Sequence, residues 1–227
     1  MRVLTWNLFH GRATVPAGRD LLAEFTAALV SWDWDVALLQ EVPPWWPAHL
    51  AIACQAQART ALTSRNLLAP VRRRLAERHP DLMRSSGGGA NAILVRGAAI
   101  EDHRRRLLRV WPERRVCHAV ALAGDGPWIA NLHAQVRPHA RARADIAHAA
   151  AATLRWADGR LALLGGDFNV RDPAADGFER LGGDGVDHVL GHGLRAGASI
   201  ELPDRGTLSD HRPVIVTVLP RELHGSY

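Results

Sequence analysis

Apolar and polar positions change period repeatedly along the 227 residues. Short apolar runs at residues 3–6 and 36–39 read as buried strands, the second flanked by acids. Residues 21–30 have the spacing of an amphipathic helix, with Asp20 placed to cap its start. Pro43, Pro44 and Pro47 predict a loop. The alanine- and leucine-rich stretch 48–76 then has helical spacing and ends before Pro80. In it Leu67, Leu68, Val71 and Leu75 share one face, and Arg72, Arg73, Arg74 and Arg78 the other. Strands are predicted at 92–96, 107–111, 116–122 and 128–132, separated by Gly97, Pro112 and the turn sequence Gly124-Asp125-Gly126-Pro127. A helix at 140–156 leads into strands at 161–164 and 214–219. Interleaved helices and strands predict a layered α/β domain with no repeat or linker.

Polar residues recur where these apolar runs end. Asn7, Gln40-Glu41, His133 and Asp167-Phe168-Asn169 each follow a strand, and Ser209-Asp210-His211 precedes the last one. Strand ends are where α/β proteins assemble their sites. A set rich in carboxylate and amide oxygens suits Mg²⁺ or Mn²⁺ better than a softer ion.

Composition narrows the chemistry. All 28 basic residues are arginine, so a P-loop, a pyridoxal Schiff base and the kinase strand lysine are excluded. Against 23 acids the formal charge is +5, which favours anionic or phosphorylated partners. Two cysteines make no disulfide framework, and no CxxC or HExxH occurs. No run approaches a membrane span and the first residues lack a leader pattern, so a cytoplasmic monomer is expected.

Thr5-Trp6-Asn7-Leu8, Leu39-Gln40-Glu41-Val42, Asn131-Leu132-His133, Gly166-Asp167-Phe168-Asn169, Val186-Asp187-His188 and Leu208-Ser209-Asp210-His211-Arg212-Pro213 occur in that order. Together they resemble the successive motifs of the endonuclease/exonuclease/phosphatase superfamily. The resemblance implies one catalytic domain over residues 1–227, a four-layer α/β/β/α sandwich like that of deoxyribonuclease I. It also implies metal-dependent phosphoester hydrolysis. Glu41 matches the principal metal carboxylate, with Asn7 and Asp210 contributing to the metal region. Asp167 and Asn169 match the pair that positions water and holds the phosphate. His211 matches a histidine paired with a carboxylate, here Asp187, and His133 one that contacts the phosphate from the other side. Cationic imidazoles and a metal ion would neutralise charge on the phosphate and the leaving alkoxide. Asp167 and His211 both stand open as the group that takes the water's proton.

Asn91, in Gly89-Ala90-Asn91-Ala92, and Arg115 are substrate-binding candidates; a turn role suits Asn91 equally well. Arg114 and the Arg72–74 cluster read as solvated. Trp45 and Trp46 could stack on a base or plug a core. The arginine balance points to DNA or RNA as the phosphodiester substrate. The alternatives are a small or lipid phosphoester, cut in the manner of a sphingomyelinase or inositol phosphatase, and an inactive binding module of the same fold.

Overall fold

The computed structural model describes residues 1–64 and 66–221. Twelve strands form two six-stranded sheets among these residues. The first sheet contains β1 (Arg2–Asn7), β2 (Val36–Val42), β3 (Gln57–Leu62), β4 (Ala90–Val95), β11 (Leu194–Glu201) and β12 (Val214–Pro220), in the order β11-β12-β1-β2-β4-β3. The second contains β5 (Ile100–Arg109), β6 (Arg115–Leu122), β7 (Trp128–His133), β8 (Ala162–Asp167), β9 (Glu179–Asp184) and β10 (Asp187–His192), in the order β5-β6-β7-β8-β10-β9. Both sheets are mixed: β1 runs parallel to β2 and β7 to β8, while the other pairings are antiparallel.

Three apolar layers account for the sandwich. Val3, Leu38, Ile93 and Val216 of the first sheet meet Val120, Ile129, Leu163 and Val189 of the second. Alternate residues of the first sheet, such as Leu4, Trp6, Leu39 and Leu94, point outward. They are covered by α1 (Leu22–Ser31) and α2 (Trp46–Ala53) through Phe25, Leu29, Trp46 and Leu50. The outer face of the second sheet, with Ala119, Ala130 and Leu164, takes Ile146, Ala149 and Ala150 of α5 (His139–Ala157). The period-2 alternation of the strands thus builds a four-layer α/β/β/α sandwich.

α1 starts one residue later than expected, with Leu21 at its N-cap, and Asp20 just before it accepts the Leu22 N–H at 2.7 Å. Pro47 sits in the first turn of α2 rather than in a loop, since a first-turn proline has no N–H bond to lose. The 48–76 stretch is not one helix. It contains the end of α2, the edge strand β3, and the start of α3 (Ala69–Arg78), with Arg65 outside the described residues. Pairing with β4 along six residues overrides the helical propensity of Gln57–Leu62. The expected apolar face of α3 is not covered: Leu67, Leu68, Val71 and Leu75 are 78%, 66%, 58% and 44% exposed. A short α4 (Pro80–Met83) follows. Trp46 packs against Phe25 in the core, and Trp45 is partly buried beside it, so the plug reading holds for Trp46. Both cysteines are free and buried. Among the described residues, no helix is long and apolar enough to cross a membrane.

Candidate active site

Strand register brings the predicted residues together. His133 ends β7 directly beside Asp167 on the parallel strand β8, and Asp187 on β10 pairs with Asp167 from the other side. Three chemical groups therefore stand at one level of three adjacent strands. In the first sheet Asn7 ends β1 opposite Gln40 of β2. The next residue, Glu41, has φ 50° and lies where the β2–β4 register slips between Leu39 and Val42. Such a bulge turns a side chain out of the strand's alternation, here toward the site. Gly166 lets Asp167 come this close: a Cβ there would lie 1.9 Å from the Leu132 carbonyl oxygen.

The two halves are tied together by buried polar groups. Gln40 Nε2 donates to Asn131 Oδ1 at 2.9 Å, and Asn131 Nδ2 donates to the carbonyls of Leu39 and Ala92. Gln40 and Asn131, both motif residues, thus join the sheets beneath the site. Ser209, fully buried, donates from Oγ to the Asn7 carbonyl at 2.6 Å and accepts the His211 N–H at 3.1 Å. Trp6 Nε1 also donates to the His211 carbonyl, so the end of β1 fixes the loop that carries His211.

The side chains form an alternating series of imidazoles and carboxylates. His211 Nδ1 is 2.7 Å from Asp187 Oδ2, and its Nε2 is 3.8 Å from Asp167 Oδ2. His133 Nε2 is 3.5 Å from the same Asp167 oxygen and 3.8 Å from Glu41 Oε1. His10 Nε2 closes the series at 3.0 Å from Glu41 Oε2. Asn7 Nδ2 donates to Asp167 Oδ2 at 3.0 Å, while its Oδ1 accepts the Phe9 N–H. In this pose the Asn7 amide holds a carboxylate through its NH₂. Asp167 Oδ1 accepts the Asn169 N–H, and Asn169 Nδ2 donates to the Ala134 carbonyl, in a turn with φ 53° at Asn169. Left-handed residues at Glu41, Asn169 and Ser209 cluster around one site, as stored backbone strain commonly does.

Burial and charge set the protonation states. Burial opposes the charge on His211, but the hydrogen bond and charge of Asp187, with Asp167 and Asp210, raise its pKa to about 9. Burial pushes Asp187 up to about 7 against the pull of His211. Glu41 and Asp167 are also raised, chiefly by burial, with His211 and Asn7 pulling the other way. His133 is lowered well below 6.5 by burial and by the nearby charges of Arg115, His211 and His10. The expectation of cationic imidazoles therefore fits His211 and not His133, which is a neutral donor or acceptor.

A cavity of about 270 Å³ opens at the Glu41 end of this series, lined among others by His10, Arg12, Glu41, Glu113, Arg115 and His133, while Asp167, Asp187 and His211 lie outside its lining. Arg115, 4% exposed, pairs with Glu113, and Asp167 and Glu41 are among the charges that favour its ionised form. Arg114 is exposed at the rim. Asp210 is exposed beside the site, where its charge reaches Glu41, His211 and Arg12. Asn91 does not sit in a turn: it lies in β4, donates to the Val116 carbonyl next to Arg115, and does not line the cavity. His10, Arg12 and Glu113 were not singled out from the sequence. His10 had a signal, since it lies three residues beyond Asn7 in the same strand-end loop.

A profile of the Endonuclease/Exonuclease/phosphatase family matches residues 4–211, the span that holds every residue of this site. The chain belongs to that family. No curated protein matches it. Solved structures of the family's fold superpose over nearly its whole length. The endonuclease/exonuclease/phosphatase from Bacteroides vulgatus has a TM-score of 0.71 at 14% identity, covering 97% of this chain and 98% of that one. The mannosyl-6-phosphatase from Bacteroides thetaiotaomicron has a TM-score of 0.68 at 15% identity, covering 96% and 99%. TDP2 from Caenorhabditis elegans has a TM-score of 0.67 at 16% identity, covering 96% and 74%. At these identities the likeness is one of fold, and the family assignment makes the chain a phosphoester hydrolase.

The family is generally divalent-metal dependent, and the residues present fit such an ion. Glu41 is a half-buried carboxylate facing a cavity, with Asp167 and Asp210 adding negative charge nearby. Hard oxygen donors with unbalanced charge are what a divalent cation compensates. Asp167, Asp187 and His211 also place ligand atoms within 4.8 Å of one another and could hold an ion. In that group, however, Asp187 and His211 already satisfy each other at 2.7 Å.

Proposed function

We propose that the chain hydrolyses a phosphodiester with a divalent ion held at Glu41, and that its substrate is nucleic acid. The observation that carries the reaction type is the convergence of His211 Nε2 and His133 Nε2 on one Asp167 oxygen. When bound, the ion supplies charge neutralisation and a more acidic water. The protein's own groups divide the remaining work. Asp167, with its pKa raised by burial and its oxygens oriented by Asn7 and the Asn169 N–H, takes the proton of the attacking water. His211 keeps its own proton at neutral pH and is suited to stabilising charge on the phosphate, not to removing a proton. Neutral His133 and cationic Arg115 contact the non-bridging oxygens from the cavity side.

The exposed arginines at and near the rim, Arg84 and Arg114, support a polyanionic substrate. The compact cavity, lined by Thr63, Ser64 and Ser85 hydroxyls, favours a second reading, a small sugar or polyol phosphate. Purified protein is to be assayed with Mg²⁺ or Mn²⁺ on bis-p-nitrophenyl phosphate, single- and double-stranded DNA, RNA, an abasic duplex, sphingomyelin and sugar phosphates, each with an EDTA control. Cleavage of DNA or RNA that weakens steeply with salt supports the first reading. Turnover confined to a small phosphoester, with little salt dependence, replaces it with the second. Silence on every substrate with every ion would refute the hydrolase proposal and favour an inactive binding module.

A further inference from the structure

We infer that His10 is a ligand to the divalent ion at Glu41, and that its imidazole makes this site prefer Mn²⁺ to Mg²⁺. The inference rests on the metal-dependent reading above. Three observations lead to it.

First, the oxygen donors expected from the sequence are not equally available. The Asn7 oxygen accepts the Phe9 N–H and its NH₂ faces Asp167, while Asp210 is exposed. Glu41 is the half-buried carboxylate that faces the cavity, and the side chain nearest its Oε2 in the acid–imidazole series is His10, at 3.0 Å. Ligand atoms ~2.1 Å from one octahedral ion lie ~3.0 Å apart on adjacent vertices. The two atoms pair directly here, as Asp187 and His211 do, but unlike that pair they line the open cavity and are near enough to turn onto one ion as neighbouring ligands.

Second, the backbone is built to aim this ring. Phe9, His10 and Gly11 have φ of 50°, 55° and 75°, three left-handed residues in succession. L residues enter that region at a cost, and a run of them persists only where the surroundings enforce it. The enforcement is visible at Gly11, where a Cβ would lie 2.5 Å from the Trp46 ring. The buried Trp46 holds the turn against Pro43, two residues past Glu41. One tight unit therefore fixes His10 and Glu41 relative to each other.

Third, His10, Glu41 and His133 line the same cavity, so an ion between His10 and Glu41 would be open to a substrate phosphate. An imidazole nitrogen is a softer donor than an oxygen, and Mg²⁺ accepts it poorly while later divalent ions accept it readily.

The test is binding to metal-stripped protein, with Mn²⁺ and Mg²⁺ titrated separately by calorimetry and the Mn²⁺ complex examined by pulsed electron paramagnetic resonance. Wild type is expected to bind Mn²⁺ more tightly than Mg²⁺ and to show nitrogen hyperfine coupling. His10→Ala should lower the Mn²⁺-to-Mg²⁺ affinity ratio by about 10-fold or more and remove one nitrogen coupling. His10→Gln keeps a hydrogen-bond donor to Glu41 but no imidazole, and should fail to restore the ratio. If His10 only braces Glu41, His10→Ala lowers both affinities by one factor, the coupling pattern is unchanged, and His10→Gln recovers the loss; that overturns the inference while leaving the metal site at Glu41 intact. Wild type that binds neither ion overturns both this inference and the metal-dependent reading. Circular dichroism of the metal-free variants separates these results from misfolding.

Discussion

The Asp187–His211 pair gives the most quantitative handle on the site. Asp187→Asn keeps the shape of the side chain and removes its charge. In the wild type burial works against His211's proton, yet Asp187, Asp167 and Asp210 raise its pKa from 6.5 to about 9. That difference is worth about 3 kcal/mol of preference for the imidazolium. Without the Asp187 charge, burial is opposed only by Asp167 and Asp210, and the pKa should fall toward the ordinary 6.5, the value that sets the magnitude of the loss. The sign follows directly: His211 is charged below its pKa, so losing the partner moves the alkaline limit of activity downward. At pH 8 the protonated fraction falls from about nine-tenths to about 3%, a loss of about 30-fold; at pH 6 the same calculation gives only about 1.3-fold. The assay is kcat/KM on bis-p-nitrophenyl phosphate from pH 6 to 9, paired with an NMR titration of the His211 ring. A loss of equal size at every pH, or a ring that still titrates near 9, would refute the assignment of His211 as a required cation.

Other outcomes can be checked beside it. Asp167→Asn should lower kcat by about 10³-fold or more with unchanged circular dichroism, since it removes the proposed proton acceptor; near-normal turnover would exclude that role. Arg115→Gln should raise KM more than it lowers kcat if the guanidinium binds the substrate phosphate in both ground and transition states, which steady-state kinetics will show. Gly166→Ala should prevent folding or sharply lower the melting temperature, because a methyl group 1.9 Å from the Leu132 carbonyl oxygen forces β7 and β8 apart. EDTA should abolish hydrolysis, and added Mn²⁺ should restore it.

Much of this arrangement was legible in the sequence, for a physical reason. Strands such as Val36–Val42 and Trp128–His133 are buried on both faces, so they announce themselves as continuous apolar runs, and the polar residues that close each run lie at or near the strand's end. That reading puts Asn7, His133 and Asp167 at the ends of their strands, as the structure has them, whereas Glu41 lies one residue inside the end of β2 at its bulge. The less apolar strands carried no such signal. Gln57–Leu62 is an edge strand with helix-favouring residues, Leu194–Glu201 is mostly exposed, and Glu179–Asp184 owes its extended form to pairing with β10. The true span of β5 was hidden by Arg104, Arg105 and Arg106, which stand on an edge where charge is tolerated. His10 escaped notice because its role depends on a left-handed turn and on Trp46, neither of which periodicity reveals. The neutral state of His133 likewise depends on Arg115, His211 and burial acting together.

Gln40 and Asn131 join two sheets that, among the described residues, share no backbone hydrogen bonds with each other. Asn7 and Glu41 ride on one sheet, and His133, Asp167 and Asp187 ride on the other. A slip of about 1 Å along this seam would part Glu41 from Asp167 without breaking a single ladder bond, and misplacement on that scale can cost about 10²-fold in rate. The hydrolase should therefore fall silent before it melts. In mild denaturant or on gentle heating, turnover should fade while both ladders, and the far-ultraviolet signal they produce, remain whole.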